Sequence, residues 1–536
     1  MDEIKTVSKK SKNTMPLWMS ILPPLVAILC ALLLREVLSS LFLGIFTGAA
    51  IMAYYSGAGV AGAAATGLLH TVDTYVIGAL NDSDHLHIIV FTMLIGAMVR
   101  IVTAGGGMRG IVGWLARRAR TARSGQLATF LISMLIFFDD YAATLVVGNT
   151  MRPITDRLKI SREKLAYLVD STSAPMVAVA FVTTWIGAEL SYIQSGIETI
   201  GIDESAYSVF LHSLGFSFYP LLTLFFVVLL IASRRDFGSM LKAERAARSR
   251  ADAEVVAEEP DAQDKPHAID ALLPILVLIV GTVVSLVATG YDAAVWQSQT
   301  PLIAKLTTTI GNANSYLALL WSSLLALLVA IVIAIARRTL KFGKAMEEVL
   351  EGFKSMLPAV AILTLAWAIA LITKDMHTAD FLSGLLIRWS LYPALVPALT
   401  FVLAFLIGFS TGTSWGTMAI LYPLILPASW GLAQSCGLSH DESLHLFYIV
   451  VSTVLSGAVF GDHCSPISDT TIMSSTASGC DHIAHVRTQM PYAITVGAVS
   501  LLTGIVPSSL GLPSAIAFLL SAAVLIAVLR FAGKRD

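Results

Sequence analysis

Two stretches of sequence, FFDDYAATLVVGNTMRP (residues 137–153) and FGDHCSPISDTT (residues 460–471), interrupt long apolar runs with carboxylates, hydroxyls and a proline. A charged side chain at the centre of a bilayer costs about 2.5–3.5 kcal/mol on insertion scales. Irregular backbone at that depth is tolerated only where it is buried in protein or lines a water-filled cavity. The two stretches therefore predict interrupted helices and an ion or substrate site inside a membrane protein.

The composition is that of a polytopic membrane protein. Hydrophobic residues make up 56% of the 536 residues and charged residues only 13%, whereas soluble domains carry about 25% charged residues. The net charge is −1 and no basic patch is present, so nucleic acid is not an expected partner. Because no nucleophile–base motif or metal-type cysteine spacing occurs, we do not expect an enzyme.

Charged loops predict how the first hairpin lies in the membrane. A spanning helix needs about 20 apolar residues, and short loops rich in Lys and Arg mark the cytoplasm. The basic segments RRARTAR (117–123) and RPITDRLKISREK (152–164) flank a single apolar stretch. A hairpin of two half-length helices with its tip at Asp139–Asp140 places both basic flanks in the cytoplasm. A single crossing would place one of them outside.

The predicted fold is all-α, with about twelve transmembrane helices, two re-entrant hairpins and two broken helices. Both termini and a long polar linker are predicted to be cytoplasmic, in a bacterial inner membrane. The predicted parts are an N-terminal tail and first span (1–35), a first repeat (36–232) with hairpin 126–150, the linker (233–268), a second repeat (269–509) with hairpin 393–430, and a last span with the C-terminal tail (510–536).

The two halves match in arrangement but run in opposite orientations. Each has a hairpin followed by a helix interrupted at a polar motif, DSTSAP (170–175) in the first half and GDHCSP (461–466) in the second. We expect Pro175 and Pro466 to occupy corresponding places. Paired halves of inverted topology with interrupted helices are the design of secondary transporters, whose site lies near the midplane between the repeats.

Each half offers oxygen ligands for a dehydrated sodium ion, since hard cations take carbonyl, hydroxyl and carboxylate oxygens. We expect one pocket per half, between a hairpin tip and a broken helix, where helix ends leave carbonyls free. An intramembrane Asp is functional by default, whereas Ser and Thr hydroxyls often bond to backbone carbonyls. Asp170 follows the cytoplasmic Lys164 closely, so an interfacial N-cap is its alternative role.

Proton coupling needs a carboxylate that releases its proton when a cation arrives, because burial favours the neutral acid and a bound cation favours the ionised form. Asp140 and Asp462 are the candidates for this exchange. His463 is a candidate proton relay, with a purely structural hydrogen bond as its alternative. Glu189 is interpreted as a residue near the outer end of its helix that faces water or caps a neighbour.

FGDHCSPISDTT followed by MSSTASGCDHIAHV (473–486) resembles the NhaC family of sodium/proton antiporters, and residues 137–175 are similar to the first-half counterpart in its longer members. The resemblance implies paired hairpins, and it suggests a homodimer that works by an elevator motion. By motif position it assigns sodium coordination to Asp140, Thr144, Asn149, Ser171 and Ser173 in the first half, and to Thr413, Ser414, Asp462, Ser465 and Asp469 in the second.

The leading functional hypothesis is a secondary active transporter that exchanges sodium for protons by alternating access, with no cofactor beyond these two ions. The alternative is sodium-coupled or proton-exchanging transport of an amino acid or small organic carboxylate, as in relatives of NhaC. Asn149, Thr413 and Trp415 are then the candidate substrate pocket. The expected partners are membrane lipid, sodium and a small-molecule substrate.

Overall fold

The structure is a computed structural model that describes residues 15–34, 36–116, 119–249, 267–298, 302–388 and 391–535. Of the predicted parts, the tail before residue 15 and linker residues 250–266 lie outside the described residues. Within the described ranges the chain is helical apart from loops and one antiparallel pair of short strands, β1 (Arg235–Asp236) and β2 (Lys534–Arg535).

Thirteen helices form the first half and its linker: α1 (Leu22–Leu34), α2 (Val37–Tyr55), α3 (Val60–His70), α4 (Ile77–Leu80), α5 (Ser83–Ala104), α6 (Gly107–Ala116), α7 (Ala122–Leu135), α8 (Asp140–Arg157), α9 (Arg162–Val179), α10 (Ile186–Ile200), α11 (Ala206–Ser213), α12 (Phe218–Ser233) and α13 (Gly238–Ser249). The second half contains α14 (Ile269–Thr289), α15 (Ala293–Gln297), α16 (Leu302–Gly311), α17 (Ser315–Ala336), α18 (Phe342–Asp375), α19 (Thr378–Arg388), α20 (Val396–Thr411), α21 (Ser414–Ser435), α22 (His440–Cys464), α23 (Asp469–Ser478), α24 (His482–Val499), α25 (Val506–Ser509) and α26 (Ser514–Ala532).

The predicted all-α membrane fold is confirmed, although the full-length spans are fewer than twelve. Ten helices in the described ranges are long and apolar enough to cross a membrane, and α11 with α12 forms an eleventh candidate that is bent by 47°. The apolar segment 60–80 is not among the ten, because a π-helical turn, Thr71–Val76, which carries Asp73, interrupts it. In the second hairpin, α21 has 22 residues and is a full-length apolar helix rather than the half-length arm expected.

Four interruptions of the helices lie between the two halves. The first tip (136–139) joins α7 to α8, and the second tip (412–413) joins α20 to α21. The first break (180–185) separates α9 from α10, and the second break (465–468) separates α22 from α23. A backbone hydrogen bond joins each tip to the break of its own half: Thr184 N–H donates to the Phe138 carbonyl at 2.9 Å, and Asp469 N–H to the Gly412 carbonyl at 3.4 Å.

The first helix breaks later than the sequence predicts. DSTSAP is helical, and Pro175 lies inside α9, because a buried membrane helix tolerates a proline when neighbouring groups satisfy the freed carbonyl. The chain instead leaves the helix at 180–185, where the Thr183 hydroxyl accepts hydrogen bonds from the N–H groups of Trp185 and Ile186 at 3.1 and 3.2 Å. Pro466 lies within the second break, so the expected correspondence of Pro175 and Pro466 is wrong.

Helices that begin at these interruptions pair across the two halves. Tyr141, at the start of α8, donates a hydrogen bond to Asp469, at the start of α23. About two turns further along both helices, a Cβ on Gly148 would lie 2.6 Å from the Ala477 Cβ. The contacts keep the same spacing along both helices, so α8 and α23 run parallel.

The other two helices that begin at the interruptions, α10 and α21, pair in the same way. Trp185 and Trp415 are edge-to-face with ring centroids 6.0 Å apart, and a Cβ on Gly196 would lie 2.9 Å from the Leu426 side chain. α10 and α21 are therefore also parallel. Each hairpin thus lays its second arm beside the distal part of the opposite broken helix, which is the arrangement that an inverted repeat generates.

Glycine allows the second hairpin to approach the second broken helix. A Cβ on Gly457 would lie 2.6 Å from the Phe401 carbonyl oxygen, and one on Gly461 would lie 2.5 Å from that of Phe405. Small residues at this spacing let membrane helices pack with their backbones close together. The resulting contact of α20 with α22 fixes the second tip at the level of the second break.

A buried ion pair anchors the start of the linker. Lys164 Nζ lies 2.5 Å from Asp236 Oδ1, and Tyr492 donates its hydroxyl proton to the same oxygen at 2.5 Å. Glu244 of α13 accepts a hydrogen bond from Ser161 N–H, 2.8 Å away, at the beginning of α9. Burial raises the pKa of Glu244, although nearby Lys164 opposes the shift. The linker therefore begins as a packed element against the base of α9.

Candidate functional site

The candidate site lies where the two tips and the two breaks meet. α8, α10, α21 and α23 begin at this level, and α7, α9, α20 and α22 end there. The beginnings of helices present free N–H groups and partial positive charge, and their ends present free carbonyls and partial negative charge. The same small region can therefore coordinate a cation through carbonyls and bind an anionic group through N–H donors.

Asp462 forms the centre of the oxygen cluster at the second break. Its side chain is in the last turn of α22, with the residue 1% exposed. Its two carboxyl oxygens accept hydrogen bonds from Ser468 Oγ at 2.9 Å and Thr470 Oγ1 at 2.6 Å, across the break. Ser465 N–H donates to the Asp462 carbonyl at 3.1 Å. A carboxylate, two hydroxyls and backbone carbonyls form the kind of ligand set that sodium takes.

Asp140 occupies the equivalent level in the first half. It is the first residue of α8 and is 2% exposed, and its Oδ2 has no hydrogen-bond partner in the described part of the chain. Asp139 caps the helix by accepting a hydrogen bond from Ala142 N–H at 2.7 Å. One turn further on, the hydroxyls of Thr144 and Ser173 lie 3.2 Å apart. The unpartnered carboxyl oxygen is thus available to a cation or a proton beside two hydroxyls.

Asp469 joins the two clusters. It accepts the hydroxyl proton of Tyr141, and its Oδ1 accepts a hydrogen bond from Thr470 N–H at 2.8 Å. The carboxyl groups of Asp140 and Asp462 are both close enough to interact with it electrostatically. Carboxylates grouped in this way are not all ionised unless a cation compensates their charge. The pockets expected separately in each half therefore form one continuous polar centre.

Asp170 belongs to this centre and is not an interfacial N-cap. It is fully buried in α9, whose N-cap is Ser161. Its Oδ2 accepts hydrogen bonds from Gln489 Nε2 at 2.5 Å and Thr471 Oγ1 at 3.2 Å, and lies 3.5 Å from His485 Nε2. The sequence interpretation missed Gln489 and His485, although two polar side chains one turn apart in an apolar helix were a usable signal.

His463 has both of its expected environments. Its Nδ1 lies 2.9 Å from the Tyr219 hydroxyl, which is the structural hydrogen bond. Its Nε2 is buried without a partner among the described residues. Gln489 Nε2 also donates to the His463 carbonyl at 3.0 Å. One ring nitrogen therefore stays available for proton transfer while the other holds the ring in place.

The remaining predicted ligands differ in whether their oxygen atoms are already hydrogen-bonded. Ser414 Oγ is buried without a partner in the described ranges, and Ser465 Oγ accepts a hydrogen bond from Ile467 N–H at 3.3 Å. Thr413 precedes α21 and offers its carbonyl, which already accepts the Thr417 hydroxyl at 3.0 Å. Ser171 is 1% exposed within α9.

Asn149 is not brought to the site. Its side chain is exposed, and its Nδ2 donates to the Leu145 carbonyl of its own helix at 2.8 Å. It follows Thr144 by five residues, and at 3.6 residues per turn this places it on a different face of α8. The expected substrate pocket of Asn149, Thr413 and Trp415 is therefore not assembled, because Trp415 packs on Trp185 at the other side of the centre.

The donor set suits a hard cation better than a transition metal. No three His, Cys, Asp or Glu side chains group as a metal site would require within the part of the chain that the structure describes. Hydroxyls and carbonyls around the carboxylates predominate instead, and such oxygens suit hard cations. The unpartnered Asp140 and Ser414 oxygens fit this ligand chemistry.

Comparison with known proteins points to transport. Residues 176–506 match the Na+/H+ antiporter family. A protein of Haemophilus influenzae described as uncharacterized is 32% identical over 482 residues, which cover 90% of this chain and 89% of that protein. A malate-2H+/Na+-lactate antiporter of Bacillus subtilis is 39% identical over 70 residues, 12% of this chain and 15% of that protein.

A solved structure shares the fold. The YdaH transporter of Alcanivorax borkumensis superposes with a TM-score of 0.54 at 15% identity, covering 83% of this chain and 90% of that one. Its structure has been described as having an unusual topology. At this level of identity the likeness concerns architecture, and the transported substrate has to be argued from the site.

Proposed function

The chain belongs to the Na+/H+ antiporter family, and we propose that it exchanges sodium ions for protons across the bacterial inner membrane by alternating access. The observation that carries this proposal is the buried Asp462 carboxyl group, which faces the hydroxyls of Ser468 and Thr470 across a helix break. A carboxyl group in that position binds either ion, and each excludes the other.

Competition at Asp462 supplies the coupling. In the sodium-bound state the carboxylate carries the compensating charge, and Ser468 and Thr470 rotate their hydroxyl protons away so that oxygen lone pairs face the ion. In the proton-bound state Asp462 is a neutral acid and no longer compensates a cation. A site that moves only when one ion is bound carries sodium in one direction and protons in the other.

Access alternates through the tips in this proposal. Each tip is tied to its own break by a backbone hydrogen bond and to the opposite half by an aromatic side chain, Tyr141 or Trp415. These links connect the ion ligands to both hairpins, so movement of the hairpins changes which side reaches the ligands. An elevator motion and a homodimer are further parts of the proposal, and they rest on the family resemblance.

Exchange in proteoliposomes tests the proposal. Sodium added outside vesicles with an acidic lumen should dissipate the pH gradient, and Asp462→Asn should abolish this exchange because an amide does not ionise and so neither compensates the sodium charge nor releases a proton. Asp441→Asn is the matched control, since Asp441 lies exposed at the other end of the same helix. Sodium-driven exchange that survives in Asp462→Asn at the wild-type rate would remove Asp462 from the mechanism.

A second candidate function is sodium-coupled transport of a small carboxylate or amino acid. The observation that favours it is the meeting of four helix beginnings at the site, because free N–H groups and partial positive charge bind a carboxylate. The malate/lactate antiporter similarity agrees with this chemistry. A thermal-shift screen of organic acids and amino acids, with and without sodium, separates the two functions, since a bound substrate raises the unfolding temperature.

A further inference from the structure

Glu189 is a buried carboxyl group that the candidate site does not use. It lies in the first turn of α10, close to the first break, and is 2% exposed. The expectation that it faces water or caps a neighbouring helix is wrong. No hydrogen bond or ion pair to its carboxyl group occurs within the part of the chain that the structure describes, so this carboxyl is retained in an apolar place without structural compensation.

One face of α10 connects the site to a cavity at the far end of the helix. Trp185, Glu189, Tyr192 and Gly196 lie on that face, since side chains three or four residues apart share one face of an α-helix. This face packs along α21: Trp185 contacts Trp415, Gly196 contacts Leu426, and the Tyr192 ring stacks on the Tyr422 ring with 5.7 Å between centroids. Glu189 is the carboxylate of this α10–α21 seam.

The seam opens at a cavity of about 390 Å³ between the ends of α10, α18, α19 and α21. Lys374, His377 and Asp380 line it beside Ser195 and Thr199 of α10. A neighbouring cavity of about 90 Å³ shares Ser195, Thr199 and Lys374. The basic segment before α9 is predicted to be cytoplasmic, so the far end of α10, at the other end of the same broken helix, is predicted to be on the outer side. We therefore name the larger space the outer cavity.

Polar atoms along the seam favour a proton as the ligand. The Tyr192 hydroxyl, one turn after Glu189, is buried without a partner among the described residues. Trp185, one turn before Glu189, interacts with Asp140 of the candidate site. The Tyr422 hydroxyl interacts electrostatically with Glu189 and donates to the Val451 carbonyl at 3.0 Å. A sodium ion needs several oxygen ligands, and one carboxyl group between aromatic rings does not provide them.

The other helices around Glu189 present apolar or hydrogen-bonded groups to it. α5 presents Phe91 and Ile88 to the adjoining Gly187. α18 presents Trp367, whose indole N–H donates to Ser191. From α11, Tyr207 donates to the Phe181 carbonyl at 3.2 Å. Tyr422 of α21 is the titratable neighbour, and no charged side chain of these helices pairs with Glu189 in the described residues.

We propose that Glu189 is a second proton-binding group, which passes a proton between the outer cavity and the candidate site. Water in the outer cavity gives a proton to the Glu189 carboxylate, and the resulting acid gives that proton to Asp140, which Trp185 also contacts. No covalent bond other than O–H forms or breaks. The proposal rests on the proposed exchange of sodium for protons, and it adds a specific residue to the proton path.

The rate of proton movement tests this proposal, because a residue that passes protons to the site changes how fast exchange runs and not how many protons move per sodium ion. In proteoliposomes, Glu189→Gln should slow sodium-driven proton release about 100-fold. Glu189→Asp, which keeps a carboxyl group, should recover part of that rate. Glu198→Gln is the matched control, because Glu198 is exposed on the same helix. Proton release at the wild-type rate in Glu189→Gln would overturn the proposal.

A second measurement needs no transport. Infrared difference spectra of the wild-type protein between acidic and alkaline pH should contain a protonated-carboxyl band that Glu189→Asp shifts and Glu189→Gln removes. If both variants keep the wild-type bands, Glu189 does not exchange its proton and the proposal fails. If the wild-type protein moves no sodium while the band titrates, the proposed exchange fails and Glu189 stands as a proton site.

Discussion

Replacing Gly412 with alanine should separate the second tip from the second break. Gly412 has a φ of +68°, which costs a residue with a Cβ about 1–2 kcal/mol. The new Cβ would also lie 2.5 Å from the Ile467 carbonyl oxygen. That oxygen belongs to the backbone and cannot rotate away, so the tip itself has to move.

Gly437 provides a control for the strain alone. Its φ is +77°, and nothing lies within 4 Å of the position a Cβ would take. Gly437→Ala therefore carries the same backbone cost without the collision. Any difference between the two variants measures the contact of tip and break.

The size of the effect follows from what the tip contributes. Moving it breaks the hydrogen bond from Asp469 N–H to the Gly412 carbonyl, which is worth about 1 kcal/mol, and displaces the Thr413 carbonyl. A loss of about 1.4 kcal/mol in the assembled site corresponds to about a tenfold weaker affinity for sodium.

The assay is the sodium dependence of exchange in proteoliposomes, with thermal unfolding measured on the same preparations. Gly412→Ala should raise the half-saturating sodium concentration about tenfold or more, while Gly437→Ala keeps the wild-type value despite a similar loss of stability. Equal sodium dependence in both variants would refute the role given to the tip–break contact.

Two further predictions concern the cytoplasmic anchor of α9. Lys164→Met should destabilise the protein by about 3–5 kcal/mol, because it removes the buried cation that pairs with the Asp236 carboxylate. Adding Asp236→Asn should recover most of that loss in thermal unfolding, and simple additivity of the two substitutions would contradict the buried pair. Burial raises the pKa of Glu244, so the folded state favours the protonated form of this side chain. The contribution of Glu244 to the free energy of unfolding is therefore present at low pH and is lost as pH rises through the raised pKa. Glu244→Gln should therefore gain stability relative to wild type as pH increases, and a pH-independent difference between the two would contradict this.

The sequence predicted the second half of the site closely. The break at 465–468 falls within GDHCSPISDTT, where a proline and two serines compete with helical hydrogen bonding. In the first half Pro175 was a misleading signal, because a buried helix absorbs a proline when its surroundings satisfy the freed carbonyl. The break lies where the Thr183 hydroxyl accepts hydrogen bonds from the N–H groups at the start of α10. A single Thr in an apolar run is too weak a signal to predict such a break from the sequence.

The sequence could not predict which helices of one half contact which helices of the other half. The contacts of Tyr141 with Asp469 and of Asp170 with Gln489 join positions more than 300 residues apart. Local spacing reports which residues share a helix face, and it carries no information on which face of the other half lies opposite. For the same reason, the expectation that Glu189 faces water or caps a neighbouring helix was wrong, as was the expectation that Asn149 lies in the site.

The most direct test of the central claim is the affinity for sodium as a function of pH. In the proposed exchange one carboxyl group, that of Asp462, binds either sodium or a proton. The Kd for sodium, measured by radioactive sodium binding to the detergent-solubilised protein, should therefore rise about tenfold for each unit of pH below the range where the site ionises. Asp462→Asn should lose the pH-sensitive binding, and Asp441→Asn should keep it. A wild-type Kd that does not change with pH, or pH-sensitive binding that persists in Asp462→Asn, would contradict the account.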